Sequence, residues 1–357
     1  MTDSAEQPRL SVWRRILWPD WPERKRLLRI EGWTIVAGAW LLLAFSGLFP
    51  QDFESTSAPY VFFAWMAFLV SAFRFHIGLL LAVVALGAAV ARLRRMLLAT
   101  APVLLYTLVP VCSDYVPRAA PGESGPTVRV MSVNLLVSNT DTAGVLAEIR
   151  SARPDILLLQ EYSAAWHQAL NPALSPEYPH SVFKTGEDSF GGAVYSRFSF
   201  VGRPESDVQM GTEAVPQFRA VVDLSGRHVA VYNIHLLPAW KFEYALEGRL
   251  EFADLLALLR EETLPVILGG DFNFTGTTPQ ARGLRRAGFR DAWDLAGCGH
   301  GATWPASGPL RFLPGFRIDH VYLGPGVTCV RCVRGEARGS DHRPLVADVR
   351  VDGGPAR

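Results

Sequence analysis

Asp271 and Asn273 stand two residues apart in Gly269-Gly270-Asp271-Phe272-Asn273, directly after the apolar run Pro265-Val266-Ile267-Leu268. At strand spacing the two side chains face the same way. A carboxylate beside a carboxamide offers an anionic and a neutral oxygen, and the amide adds N–H donors. That pairing suits a hydrated hard cation and a phosphate oxygen. The glycines are expected to turn the backbone tightly where the strand ends. An ordinary turn uses the same residue types, so other clusters decide. Asn134, Glu161, Asn233 with His235, Asp319 with His320, and Ser340-Asp341-His342 each stand where an apolar run stops. Gathered on one rim they would form a single acidic, imidazole-rich site, with carboxylates for a metal and imidazoles for proton transfer.

The elements that must position these residues are legible as apolar patterns. Residues 127–134 alternate as a strand, 141–151 read as a helix, and 155–161 and 192–197 are apolar strands. Strands at 217–224 and 228–235 flank Ser225-Gly226-Arg227, a hairpin signal. A helix follows over 246–261, then the 265–273 strand and turn, and late strands at 318–323 and 345–351. Many strands with few helices predict two packed sheets flanked by helices. Cys329 and Cys332 form C-x-x-C, but no second pair or His pair completes a zinc site. The thiols are either free and buried or, in an oxidising compartment, one of them pairs with Cys298.

With these residues in hand, the soluble part resembles the endonuclease/exonuclease/phosphatase superfamily of metal-dependent phosphoesterases. The resemblance covers 127–350. It rests on the ordered motifs Ser132-Val133-Asn134, Leu159-Gln160-Glu161, Tyr232-Asn233-Ile234-His235, Gly270-Asp271-Phe272-Asn273, Arg317-Ile318-Asp319-His320 and Gly339-Ser340-Asp341-His342-Arg343-Pro344. It implies an α+β fold, a four-layer α/β/β/α sandwich of DNase-I-like type. It implies Glu161 as principal Mg²⁺ ligand (Mn²⁺ in its place at need), with Asn134 beside it and Asp341 as a further metal-side carboxylate. His342 would be the catalytic imidazole, oriented and charged by Asp319. Asp271 would position or deprotonate the attacking water. Asn273 and His235 would donate to the scissile phosphate, with Asn233 and Arg249 as further substrate-side residues. The sequence departs from the superfamily's nucleases at Leu136, where some carry an acidic residue, and in lacking basic DNA-clamping insertions.

The other part of the chain is apolar. Four stretches, near 33–49, 59–73, 77–91 and 97–112, follow a basic segment that carries Arg9, Arg14, Arg15, Arg24, Lys25, Arg26 and Arg29. Trp13, Trp18, Trp21 and Trp33 suit a membrane interface. The expected organisation is a basic cytoplasmic tail (1–31), a transmembrane region (32–116), a Pro/Gly linker (117–126), a catalytic domain (127–351) and a short tail (352–357). Arg92, Arg94 and Arg95 lie between the third and fourth stretches, whereas 50–58 carries only Asp52 and Glu54. The positive-inside rule puts the tail and the arginine cluster in the cytoplasm. Three crossings satisfy both, with 59–73 interfacial, re-entrant or merged with 77–91, and leave the catalytic domain outside. Four crossings would put the arginine cluster on the wrong face.

Residues 1–118 hold 12 Lys/Arg against 8 Asp/Glu, a net +4, and the remainder holds 23 against 26, a net −3. A slightly acidic catalytic domain lacks the electrostatic footprint of a strong duplex binder. The expected function is therefore a multi-pass protein of the inner or plasma membrane, a phosphoesterase acting on a lipid-linked, small-molecule or nucleic-acid phosphate ester. The lipid bilayer is its expected partner, and no specific protein partner is indicated. An extracytoplasmic nuclease is the enzymatic alternative. A degenerate membrane sensor or scaffold would have no need to keep Glu161, Asp271, Asn273, Asp319 and His342 together. A transporter would need charged groups within its spans.

Overall fold

The structure is a computed structural model and describes residues 21–116, 127–212 and 215–352. Most of the basic tail, the linker at 117–126 and the last five residues lie outside these. The chain divides into two units, one of residues 1–48 and 73–110, the other of residues 49–72 and 111–357.

The first unit is helical: α1 (Trp21–Leu48), α3 (Arg74–Val90) and most of α4 (Arg94–Ser113). Small and hydroxyl residues let the helices approach. Gly32 lies against Met96, and Gly78 against Thr107 and Leu108. The buried hydroxyls of Thr100 and Thr107 donate to the carbonyls of Met96 and Val103 one turn back. Outside this seam Leu41, Val83, Leu86, Leu98 and Leu105 are exposed. Pro22–Leu48 and Arg94–Ser113 are each long and apolar enough to cross a membrane. α3 reaches that standard only when counted together with α2 (Ala58–Ala72).

The second unit contains two six-stranded mixed sheets. The first has the strand order β11-β12-β1-β2-β4-β3. Its members are β1 (Val128–Asn134), β2 (Ile156–Gln160), β3 (His180–Lys184), β4 (Gly192–Ser196), β11 (Val327–Arg334) and β12 (Leu345–Val351). The second has the order β5-β6-β7-β8-β10-β9. It is built from β5 (Glu205–Val208), β6 (Gln217–Asp223), β7 (His228–His235), β8 (Val266–Asp271), β9 (Arg290–Asp291) and β10 (Asp319–Leu323). Each sheet has one parallel pair near its centre, β1 with β2 and β7 with β8.

Period-two alternation sends every second side chain inward. Val130, Ile156, Leu158, Val194, Phe218, Val231, Ile267, Val321 and Ala347 form the layer between the sheets. Met131, Leu157 and Leu159 point the other way, onto α5 (Thr142–Ala152) and α6 (Ala164–Leu174) through Val145, Ile149, Trp166 and Leu170. Ala230, Tyr232, Ile234 and Leu268 do the same for α7 (Glu247–Glu261) and α8 (Pro279–Arg286) through Phe252, Leu255 and Leu284. The result is the four-layer α/β/β/α sandwich.

α2 joins this outer layer. Phe68 is 3% exposed and belongs to the same apolar cluster as Phe252, Phe272 and Tyr322. Trp65 donates from Nε1 to the Ala239 carbonyl at 2.9 Å, and Thr277 from its hydroxyl to the Ser71 carbonyl at 2.6 Å. Of the 59–73 stretch, which the sequence reads as interfacial, re-entrant or merged with 77–91, the residues up to Ala72 thus pack in the catalytic unit.

Several elements carry weak sequence signals. α6 contains Pro172 in its last turn, and no side chain of β3 is fully buried. β11 contains the C-x-x-C, but Cys329 and Cys332 are buried core residues on either side of a bulge. Burial pushes the Cys329 thiol up to about 12, which suits an inert core thiol.

Candidate active site

Register places the polar residues. On the second sheet His235 lies beside Asp271, and Asp271 beside Asp319. On the first, Asn134 is paired with Gln160, and Glu161 follows it. Parallel pairing of β7 with β8 makes their C-terminal ends coincide, and antiparallel β10 begins where β8 ends. The two rims therefore meet at one end of the sandwich.

The glycines act differently from expectation. Both lie inside β8 rather than in the turn. Gly270 has φ 149°, and a Cβ there would come within 1.8 Å of the Ile234 carbonyl oxygen. Only glycine lets β8 approach β7 this closely. The turn falls at Asn273, with φ 51°. There its N–H donates to Asp271 Oδ1 at 3.0 Å, and its side-chain amide donates to the Leu236 carbonyl at 2.9 Å.

The site closes around Asp271. Asn134 Nδ2 donates to Glu161 Oε1 and Asp271 Oδ2, each at 3.1 Å, so one amide ties the two rims together. Glu161 Oε2 accepts from the Val137 N–H at 2.8 Å. Leu136 and Glu161 hold φ values of 59° and 56°. Left-handed non-glycine residues are costly and concentrate at functional sites. His342 donates from Nδ1 to Asp319 Oδ2 at 2.9 Å, which aims Nε2 at Asp271 Oδ2, 3.8 Å away. His235 Nε2 faces the same oxygen at 3.7 Å. Both separations exceed hydrogen-bond length.

Burial alone would lower the His342 pKa, but Asp319 and Asp271 outweigh it and carry the imidazole up to about 10. Burial lowers His235, opposed by Asp271. Burial raises Asp271, with His342 pulling the other way. The site therefore holds one imidazolium, one neutral imidazole and a carboxylate made more basic than usual.

Among the described residues no Lys or Arg forms an ion pair with Glu161, Asp271, Asp319 or Asp341, whose only ionic partners are histidines. Asp341 Oδ1 is buried without a hydrogen-bond partner. Three buried carboxylates, with the partly exposed Asp341 beside them, face only two histidines. All are hard oxygen donors, and the set fits a divalent cation. Ligand atoms of Asp271, Asp319 and His342 also lie within 4.8 Å of one another, although Asp319 already serves His342.

Two expected substrate-side residues lie elsewhere. Asn233 is held between the sheets, donating to the Leu159 and Ala193 carbonyls and accepting from Gln160 Nε2 at 2.6 Å. Its amide satisfies buried strand groups. Arg249 donates to the carbonyls of Asp52 and Ser55, and its guanidinium lies 4.9 Å from the Tyr60 ring centroid. It secures the chain leading into α2. Asp341 is partly engaged by Trp304, whose Nε1 donates to Oδ2 at 3.0 Å.

Supporting residues went unread in the sequence. Gln217 clamps the His235 backbone through both its amide atoms. The Thr303 hydroxyl accepts from the Asp319 N–H. Ser340 donates to the Asn134 carbonyl and accepts from the His342 N–H, stitching the last motif to the first. Behind Asp319, Arg317 pairs with Asp291 and Asp294, and both ring nitrogens of His320 face acceptors, Asp291 and the Phe274 carbonyl. With Arg317 thus committed, Asp319 is left to His342.

A family model described as the Endonuclease/Exonuclease/phosphatase family matches residues 131–342. Solved structures share the fold. One is an endonuclease/exonuclease/phosphatase from Beutenbergia cavernae, at 21% identity and TM-score 0.52, covering 65% of this chain and 74% of that one. Another is from Bacteroides vulgatus, at 18% identity and TM-score 0.53, covering 64% and 100%. A third is truncated Caenorhabditis elegans TDP2, at 21% identity and TM-score 0.50, covering 62% and 97%. No curated protein matches the chain. The family match runs from Met131 in β1 to His342, just short of β12, and takes in both rims of the site, so the chain belongs to the endonuclease/exonuclease/phosphatase family and is a hydrolase of phosphoric esters.

Proposed function

We propose that this protein is a membrane-anchored, Mg²⁺-dependent phosphoesterase with a His342–Asp319 dyad, acting on phosphodiesters or phosphomonoesters outside the cytoplasm. Enzymes of the family depend on a divalent metal. The observation that carries the reading is the convergence on Asp271 of Asn134, His235 and His342 from both sheets, in a carboxylate-rich pocket without Lys or Arg partners among the described residues.

Glu161 would hold the metal, with Asn134 beside it and Asp341 contributing its unpartnered oxygen. When bound, a divalent cation polarises the phosphoryl group and neutralises its developing charge. Asp271, made more basic by burial, orients the attacking water and accepts its proton. His342, kept protonated by Asp319, presents Nε2–H to a phosphate oxygen. Asn273 offers the amide N–H that Leu236 leaves unused, and His235 lines the same side of the phosphate. The test is hydrolysis by the full chain in detergent with Mg²⁺ or Mn²⁺. Single- and double-stranded DNA, RNA, lipid phosphodiesters and a bis-aryl phosphodiester would be offered. His342→Ala and Glu161→Ala are expected to lose at least about 1,000-fold in kcat, and full activity in either variant refutes the reading.

The packing of α2 supports the topology. α2 belongs to the catalytic unit, so the chain crosses an even number of times between Ala72 and that unit. If α3 and α4 both cross, α1 makes three crossings in all, and the Arg92, Arg94 and Arg95 turn lies on the side of the N-terminus. Positive charge puts that side in the cytoplasm. A net −3 on the catalytic side favours lipid-linked or small phosphoesters over duplex nucleic acid.

A further inference from the structure

An aromatic surface runs from α2 toward the site. Phe62 and Trp65 of α2 meet Phe242, with ring centroids 6.0 and 5.2 Å apart. Phe68 meets Trp240 at 5.9 Å, and Trp240 meets Phe316 at 5.1 Å and stacks on Trp304 at 6.4 Å. Trp304 in turn donates to Asp341. A bridge between Trp304 and Phe316 closes the loop between them. The tip of that loop bares Leu310, Phe312 and Leu313, exposed by 53%, 78% and 61%. Phe242 and Phe62 are exposed by 50% and 43%. A soluble domain seldom leaves so many large apolar side chains exposed. Arg311 lies over the Phe312 ring at 4.7 Å, a cation above an apolar tip, as at a headgroup boundary.

We propose that this face rests on a lipid bilayer, with Phe242 and the 310–313 tip among the headgroups, and that it delivers membrane-embedded phosphoesters to the adjoining site. The chain's course argues for lipid as the occupant. α2 follows within ten residues of Leu48, the end of a helix long and apolar enough to cross a membrane. The surface that begins at α2 is therefore held within reach of the bilayer. The substrate part of the proposal rests on the phosphoesterase reading, whereas the docking part does not.

The test uses the full chain in phosphatidylcholine/phosphatidylglycerol vesicles. Phe312→Cys is made in a Cys112→Ser, Cys298→Ser background, in which the remaining Cys329 and Cys332 are buried. A bimane label at 312 is expected to be quenched at least threefold more by headgroup-proximal spin-labelled lipid than one at Val201→Cys. Val201 lies beyond the Ser196 end of β4, whereas the Gly192 end pairs with Gln160 beside the site. Equal or absent quenching overturns the proposal. So does a 312–312 cross-link in place of quenching, which would give the face to a second copy. In the second arm, Phe242→Ser with Phe312→Ser and Leu313→Ser is expected to lower turnover of a vesicle-borne lipid phosphodiester at least tenfold, with bis-aryl phosphodiester turnover unchanged. An equal fall on both substrates overturns delivery from the bilayer. A wild type inert on both would sink the phosphoesterase reading, and the quenching contrast would still decide docking.

Discussion

His342 shows how much of the proposed chemistry depends on one neighbour. Its Nδ1 is fixed by Asp319 at 2.9 Å, and the Asp319 and Asp271 charges carry its pKa up to about 10 against the pull of burial. Asp319→Asn keeps the shape but removes the nearer charge. We expect kcat to fall roughly 100-fold or more, with KM little changed, because the tautomer and charge of the imidazole matter to the transition state more than to binding. The alkaline limb of the pH–rate profile should also move to lower pH, since a raised imidazole pKa holds its proton only below that value. Steady-state kinetics on a soluble phosphodiester measures both effects, and an unmoved limb would show that Asp319 does not charge His342. Residue types at this scale were readable early. Asp271, Glu161, His342 and Asp319 were expected to share a site, and the structure brings them together with Asn134. Asn233 and Arg249 were not readable in the same way. A buried carboxamide and an arginine have several possible partners, and only the fold chose strand carbonyls for one and the approach to α2 for the other.

Elements decide how firmly those residues stand. β10 delivers Asp319, and the network behind it fixes β9 and the start of α9 (Ala292–Ala296) to β10. Burial alone would raise the Asp291 pKa, yet Arg317 and His320 hold it down at about 2. A carboxylate depressed in the folded state adds stability above its unfolded pKa, roughly 4. That stability, about 2 kcal/mol by linkage, is lost as pH falls from roughly 4 toward about 2. Asp291→Asn should flatten this acid limb. At neutral pH it should cost about 3–5 kcal/mol, because Arg317 loses its buried counter-charge. Thermal unfolding in detergent at several pH values reads both, and an unchanged acid limb would remove Asp291 from the account. The sequence could signal β8 and β10 because their apolar runs end in polar pairs. It could not signal that the two glycines sit inside β8, since a glycine pair looks the same whether it turns the chain or admits a neighbouring strand. The short elements β9, α9 and β5 carry too few residues for any period to show.

At the scale of the whole molecule, α2 ties topology to catalysis. A reporter inserted in the 50–57 segment and one fused after residue 357 should report the same side of the membrane, and that side should be outside the cytoplasm. Activity of a cytoplasm-only reporter at either point would overturn the topology, and opposite sides would contradict the packing of Phe68 and Trp65. Residue pattern alone carries composition and order: an apolar, basic-flanked first part, a second part of alternating strands, and polar clusters at strand ends in the family's order. These follow from local periodicity and residue chemistry, which act over a few residues. Only the tertiary structure decided register, which sets His235, Asp271 and Asp319 side by side, and only it decided that an apolar helix from the first part packs in the catalytic sandwich. Both depend on contacts between residues far apart in the chain. Asn134 reaches Asp271 across 137 positions, and Trp65 reaches Ala239 across 174. No local pattern encodes such a meeting, because its free energy comes from surfaces that touch only after the chain has folded.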